Sequence, residues 1–449
     1  MLSSPHFIYN SFLKKKINFF TAASLVIANM IGTGVFTSVG FQLSSVQNTW
    51  SILILWLAGG ILALFGAFAY AELGTHFKES GGDYIYLSRL FHPLLGYLSA
   101  WAGLIIGFSA PVALAAMALI KYLSPFGLEN STWLAVSVII FTGLMHSFTI
   151  KHSSRFQNVT TFIKVLFIVV LIVIAFLLPG AQSGAINWSR SWQQDILQPG
   201  FAVSMVYVSF AYTGWNAATY IADEIEKPLR NLPWALISST LFVSLVYILF
   251  QYALLKNAGI TELQGKEEVT SIAFTNLLGS AGGKWISIFI AIQLLATISS
   301  YLWVGPRVTA AIAKEFTLWK PLVKENRHGI PVRAVWAHVV ISVALMLSGS
   351  FEKVLLYAGF ILQLMSSLTV ASSLRIRHTL PGTFRSPLKP WLQVIFLTFN
   401  TGVLIFTFIS RPAESLIGMG ILAIGLVIYF FDTKHISAFA QIEKQNQRK

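Results

Sequence analysis

Asn29-Met30-Ile31-Gly32-Thr33-Gly34-Val35-Phe36 interrupts an apolar run that begins at Ile17 and ends near Gln42. About 20 apolar residues are enough to cross a bilayer, so the run reads as a spanning helix with two glycines flanking a hydroxyl residue at its middle. Within lipid every backbone N–H and C=O needs a partner, and an unwound stretch survives only where it lines a cavity or is packed in protein. The sixth apolar segment repeats the pattern: Phe210-Ala211-Tyr212-Thr213-Gly214-Trp215-Asn216 puts a glycine and polar residues at mid-depth. Breaks at corresponding places in two halves of a chain point to a binding site near the centre of the membrane.

The surrounding sequence makes lipid the solvent. Of 449 residues, 55% are hydrophobic and only 11% charged, against about 25% charged in soluble domains, and the mean hydropathy is +0.69. Twelve candidate spans lie near residues 17–42, 52–74, 94–121, 133–148, 160–178, 200–221, 233–255, 285–313, 335–347, 354–374, 391–409 and 415–431. A stretch at 272–278 is too short to cross and reads as a surface helix in a loop. The first run follows Lys14, Lys15 and Lys16 and continues too far for a secretory signal peptide, so it is expected to be retained.

The net charge of +14 does not form the single basic stripe of a nucleic-acid binder. With the N-terminus in the cytoplasm, roughly 23 Lys and Arg fall inside and about 7 outside, as the positive-inside rule requires. Both termini are therefore expected to be cytoplasmic, in the plasma (inner) membrane. There is no cysteine, which excludes thiolate metal sites and any disulfide-linked accessory subunit. No cofactor or metal site is expected, and oligomeric state is left open. One transmembrane domain is expected over 1–449, with a first repeat at about 17–178, a second at about 200–377, two last helices at about 388–431 and a tail at 432–449.

A broken helix offers bare N–H groups at the start of one half and bare C=O groups at the end of the other. The first suit a carboxylate, helped by the helix dipole, and the second an ammonium. An α-amino acid carries both a few ångströms apart. The glycines have a second reading, that Gly32 and Gly34 allow close helix packing; the pairing of breaks in the first and sixth spans favours the site.

With these residues in view, the sequence resembles the amino acid–polyamine–organocation superfamily, in particular bacterial relatives of the L-type amino acid transporters. Ile31 to Phe36 is similar to the family's Gly-Ser/Thr-Gly motif, and Ser80-Gly81-Gly82-Asp83-Tyr84 to its Ser-Gly-Gly-x-Tyr signature. Phe210 to Asn216, followed by Asp223 to Pro233, is the most specific match, and Gly305-Pro306-Arg307 resembles the eighth-helix pattern. The chain departs from the family in reading Ser299-Ser300-Tyr301-Leu302-Trp303 and Ala313-Lys314-Glu315-Phe316 around that motif. The resemblance implies an all-α polytopic protein with a LeuT-type 5+5 inverted repeat and discontinuous first and sixth helices.

It also implies residue roles. Thr33, Gly34 and the backbone of Val35 would cradle a carboxylate, with Gly32 beside them in the binding segment; carbonyls near Ile31, Phe210, Ala211 and Thr213 would take an ammonium, and Gly214 and Asn216 would shape the unwound stretch. Phe210 would close over the bound molecule, and Tyr247 is a second gate candidate, with packing as its plainer reading. Lys164 is the one charge clearly inside a span, where a charge at the helix centre costs about 2.5–3.5 kcal/mol. It either snorkels to the surface or, as the resemblance implies, stands where sodium-coupled relatives hold Na⁺, bonded to a carbonyl near Gly32 and a hydroxyl of Ser299 or Ser300. The latter predicts Na⁺-independent transport, by exchange or proton symport.

All 17 acidic residues fall in loops or at span ends, so no buried carboxylate awaits a cationic side chain. The expected cargo is a small neutral L-amino acid moved by alternating access. Another zwitterion or a polyamine, or a nutrient receptor that binds without transport, would use the same site. An enzyme would need convergent nucleophiles, bases or metal ligands at depth, and the sequence places none there.

Overall fold

The structure is a computed structural model that describes residues 17–128, 131–148, 154–180, 186, 192–376 and 381–432. The basic cluster at 14–16 and most of the expected tail lie outside the described residues.

Local sequence accounts for most helix ends. Asn18 caps α1 (Phe19–Met30) by accepting from Thr21 N–H, and after the first break α2 runs Thr33–Gln42. Asn48 starts α3 (Thr49–Phe77), whose last turn ends on Lys78 in a left-handed conformation. The Ser-Gly-Gly turn then leads into α4 (Asp83–Leu90), and Pro93 opens α5 (Pro93–Ala102). Between α5 and α6 (Ser109–Tyr122) lies a π-helical turn, Gly103–Phe108, that the sequence reading did not foresee. Then follow α7 (Thr132–Phe148), α8 (Ser154–Leu177), the short α9 (Trp192–Ile196) and α10 (Pro199–Ala211).

The sixth span does not resume as an α-helix. After Ala211 the chain turns through Gly214 and continues as a 3₁₀ segment, Ala217–Glu224. The second half comprises α11 (Pro228–Asn257), α12 (Ile260–Leu263), α13 (Val269–Ala313), α14 (Val332–Leu347), α15 (Phe351–Ser373), α16 (Trp391–Ser410) and α17 (Pro412–Phe431). The expected surface helix at 272–278 is the first part of α13, set off from the span by non-helical Gly279.

Among the described residues nine helical segments are long and apolar enough to cross a bilayer, and the shorter apolar helices Thr132–Phe148, Pro199–Ala211 and Val332–Leu347 account for the remaining expected spans. Large apolar side chains such as Phe141, Leu245, Ile405 and Phe430 are exposed, as a lipid-facing surface demands. The protein is thus an all-α multi-pass membrane protein of the LeuT-like class.

The two broken spans run through the core. Nearly every residue of α2 is buried, and α10 is buried on most of its circumference. At the N-terminal face, where α1 begins, Ile17 N–H donates to Glu224 C=O and Glu226 N–H to Ile17 C=O, each at 2.8 Å. The first and sixth spans therefore share that face. Glu72, at the end of α3, pairs with Lys389 at 3.0 Å, and Lys389 also donates to Ser373 C=O at 2.7 Å. That places Glu72 in an interhelical ion pair at the edge of the span.

The opposite face is sealed around α2. Gly265 N–H donates to Gly40 C=O at 2.8 Å, and a Cβ on Gly40 would lie 2.0 Å from Lys266 C=O. Phe41 stacks on Phe351 with ring centres 5.6 Å apart, while Tyr207 donates to Glu352 at 2.6 Å and Arg411 pairs with Glu352 at 3.2 Å.

Candidate functional site

The site is built where the two breaks touch. A Cβ on Gly34 would lie 2.5 Å from Ala211 Cα, and one on Gly214, whose φ is +101°, would lie 2.7 Å from the carbonyl carbon of Asn29. Those glycines let one backbone rest on the other. Gly32 differs, because the nearest atom to its Cβ position is Met30 C=O at 4.0 Å. The packing reading of the glycines therefore holds for Gly34 and not for Gly32.

Gly32 precedes α2 without any side-chain cap, so the first amides of that helix, from Thr33, Gly34 and Val35, have no intrahelical or capping partner. A small cavity of about 10 Å³ lies against them, room for roughly one water. Its lining is Asn29, Met30, Gly32, Thr33, Gly34, Pro111, Phe210, Ala211, Thr213, Thr297 and Tyr301, with no charged side chain. Phe210, 4% exposed, borders this cavity and the larger one beside it.

The carbonyl side of the breaks is already partly occupied. Lys164 Nζ donates to Ile31 C=O at 3.0 Å and to Thr297 Oγ1 at 3.3 Å. Tyr247 OH reaches both breaks, Met30 C=O at 2.6 Å and Ala211 C=O at 3.2 Å. The Thr213 hydroxyl folds back on Phe210 C=O at 2.7 Å. A carbonyl oxygen has two lone pairs, so Ile31 and Ala211 retain capacity for one further donor each, whereas Phe210 C=O also accepts Thr213 N–H at 3.0 Å and is filled.

One expectation is corrected here. Ser299 and Ser300 do not meet Lys164; Thr297 does, and Ser299 faces His146 Nε2 at 2.9 Å. The reason is helical phase: residues two and three positions beyond Thr297 lie about 200° and 300° further round the helix. Lys164 is 5% exposed and lies in the protein interior, so it does not snorkel. Tyr247 is fully buried and joins the two breaks, a bracing position at the breaks themselves.

Beside the breaks opens a cavity of about 1340 Å³. It runs from Asn29, Phe210 and Thr213 to the N-terminal face, where Asn18 and Asp223 are exposed. The Ser-Gly-Gly-Asp turn forms part of its wall: Asp83 accepts from Tyr70 OH, from Tyr220 OH at 3.0 Å and from Asn216 Nδ2 at 3.5 Å. Ser80 donates to Asp223 and accepts from its N–H at 3.2 Å. Asp83 lies between spans, and burial raises its carboxyl above the usual range against the opposing pull of the Tyr70, Tyr220 and Thr369 hydroxyls. Gln363 and Asn400 also line this cavity and bond each other at 2.5 Å.

Thr297, Tyr301, Asn29 and Asp83 were not singled out as site residues from sequence. Asn29 and Asp83 stand inside recognised motifs and were legible by position; Thr297 and Tyr301 are visible only once α13 is set against the first break.

The sequence profile of the amino acid permease family matches residues 17–436. The human b(0,+)-type amino acid transporter 1 is 28% identical over 442 residues, covering 96% of this chain and 90% of the relative. The mouse large neutral amino acids transporter small subunit 2 is 28% identical over 435 residues, covering 93% and 81%. The mouse Asc-type amino acid transporter 1 is 28% identical over 433 residues, again covering 93% and 81%. With two broken spans meeting in the protein core and a family match over nearly its whole length, the chain belongs to the amino acid permease family, a family of transporters and not of enzymes.

Proposed function

We propose that this protein is a secondary transporter of small neutral L-amino acids, working by alternating access without Na⁺, as an exchanger or a proton-coupled symporter. It would lie in the plasma (inner) membrane with both termini in the cytoplasm, so that the large cavity faces inward. Thr33, Gly34 and Val35 bind the carboxylate through backbone amides, Gly32 and Gly214 shape the turns, and the ammonium is held by carbonyls near Ile31, Ala211 and Thr213, with Phe210 C=O joining once the Thr213 hydroxyl turns away from it. Phe210 closes over the bound molecule, and Tyr247 holds the two breaks in register as it moves.

The observation that carries the reading is the uncapped start of α2 lying against a lining without charge. An α-carboxylate is met by amides and a dipole, whereas a cationic side chain would find no counter-ion. That argues against arginine and against polyamines. The tight void, hemmed by Pro111, Phe210 and Tyr301, supports a small cargo, although one similar protein is named for large neutral amino acids. For Na⁺ independence, the support is Lys164: carbonyl and hydroxyl oxygens are the hard donors an alkali cation wants, and here an ammonium holds them.

The test is uptake of an amino acid panel into proteoliposomes, with Na⁺, pH gradient and internal amino acid varied in turn. Uptake of alanine, serine or leucine that ignores Na⁺ is expected, stimulated either by internal amino acid or by a proton gradient. Strict Na⁺ dependence would defeat the role given to Lys164, selective arginine uptake the neutral lining, and tight binding without flux would make the protein a receptor.

A further inference from the structure

One charged group in the large cavity is unused by the site at the breaks. Arg307 of α13 lines the cavity wall and is half-buried. Its guanidinium lies 4.6 Å over the Trp303 ring, and Nη1 donates to Trp303 C=O at 2.5 Å. Among the described residues no carboxylate lies within ion-pair distance of it, and it is the one basic side chain in the lining. The acids that share the lining are engaged elsewhere: Asp83 with Tyr70 and Tyr220, and Asp223 with Ser80, beside Glu224 at the mouth.

A guanidinium carries five N–H donors in a rigid plane. The Trp303 carbonyl uses one side, and the indole beneath fixes the plane's orientation. The neighbouring lining residues on the same helix, Val304, Val308 and Ala311, are apolar. The result is a preset fork with no carboxylate bonded to it, the charge of Glu325 acting on it only from beyond ion-pair distance, in a cavity that leads to the breaks.

We propose that Arg307, seated on Trp303, forms a second and shallower site that holds the α-carboxylate of the amino acid on its way between the cytoplasm and the breaks. This rests on the transport reading above. Arg307 is ten residues beyond Thr297 along one helix, about 15 Å by helical rise, further than a small amino acid can span. The two sites therefore hold the molecule in succession, and Arg307 acts from one face of the membrane only.

The experiment measures half-saturation separately at each face in oriented proteoliposomes, using whichever of L-alanine, L-serine or L-leucine the unaltered protein takes up best. Arg307→Gln should raise half-saturation roughly five- to tenfold from the N-terminal face, as loss of a partly exposed charge-assisted bond implies, with less than about twofold change from the other face. Arg307→Lys, a point charge without the fork, should fall between. The methyl ester of the same amino acid should compete equally against both proteins. Equal shifts at the two faces, or none, would overturn the site and leave Arg307 as an orienting charge. If Arg307→Gln does not yield folded protein by gel filtration, the face difference in Arg307→Lys decides in the same way. A protein that takes up no amino acid at all would bring down the transport reading itself, which is a different result from a missing face difference.

Discussion

The first and sixth spans both break at mid-depth, but they break differently. The first loses its helix for two residues, Ile31 and Gly32, and resumes as an α-helix with bare amides. The sixth turns through Gly214 and goes on as a 3₁₀ segment whose Tyr220 and Asn216 dock on Asp83. One break keeps its dipole and is suited to hold an anion; the other gives up regular helix and ties its far half to the turn after α3. The two breaks therefore offer different chemistry: the first leaves amides free for an anion, and the sixth is fastened to the cavity wall through Asp83.

Changing the glycine that seats one break on the other tests this most severely. Gly34→Ala places a methyl group 2.5 Å from Ala211 Cα, against backbone that has no side chain to swing aside. A loss of about 3 kcal/mol in thermal or denaturant stability in detergent is expected, together with loss of uptake. Normal stability would show that the breaks do not bear on each other as described.

Lys164→Ala removes the charged donor that ties Ile31 C=O of the first break to Thr297 of α13, a donor the sixth break lacks. Uptake should fall about tenfold or more, since a carbonyl at the site is left without its charged partner. Unchanged uptake in proteoliposomes would mean the ammonium is only a packing element.

A pH effect separates the seal over α2 from the breaks. Glu267 is half-buried in the loop that covers Gly40, and burial first, then Glu268, push its carboxyl up to about 7 against the pull of Lys121. Because the folded state holds this proton more tightly than the unfolded chain, its stabilising contribution is complete below about 4.5 and lost as pH rises to about 7. Glu267→Gln should flatten stability over that window by about 1–2 kcal/mol. A parallel decline in both proteins would assign the pH dependence to another group.

The smallest effect on stability is expected at Gly32. Its Cβ position is open and its φ of −124° is accessible to any residue, so Gly32→Ala should alter stability by less than about 1 kcal/mol. The added methyl borders the small cavity, and half-saturation for uptake should rise several-fold while the maximal rate changes less. Equal losses in Gly32→Ala and Gly34→Ala would erase the distinction between the binding glycine and the packing glycine.

The apolar length of most spans and the two breaks were legible in the residues, because they depend on local composition and on the need of every buried amide for a partner; that Asp83, read as a loop acid, is buried in the cavity wall against Tyr70 and Asn216 was not. The 3₁₀ form of the second half of the sixth span, the π-turn at Gly103–Phe108 and the identity of the hydroxyl facing Lys164 were not. The last depends on the rotational phase of α13 against a helix 133 residues away in sequence, where a shift of two residues turns a side chain to the far side. Likewise, only tertiary packing decided that Tyr247 spans both breaks and that the cavity opens at the face where α1 begins. Sequence determined that the helices must break and where, because unpaired backbone is intolerable in lipid; packing determined which side chains reach the broken ends, because those contacts form between segments whose mutual orientation no local pattern records.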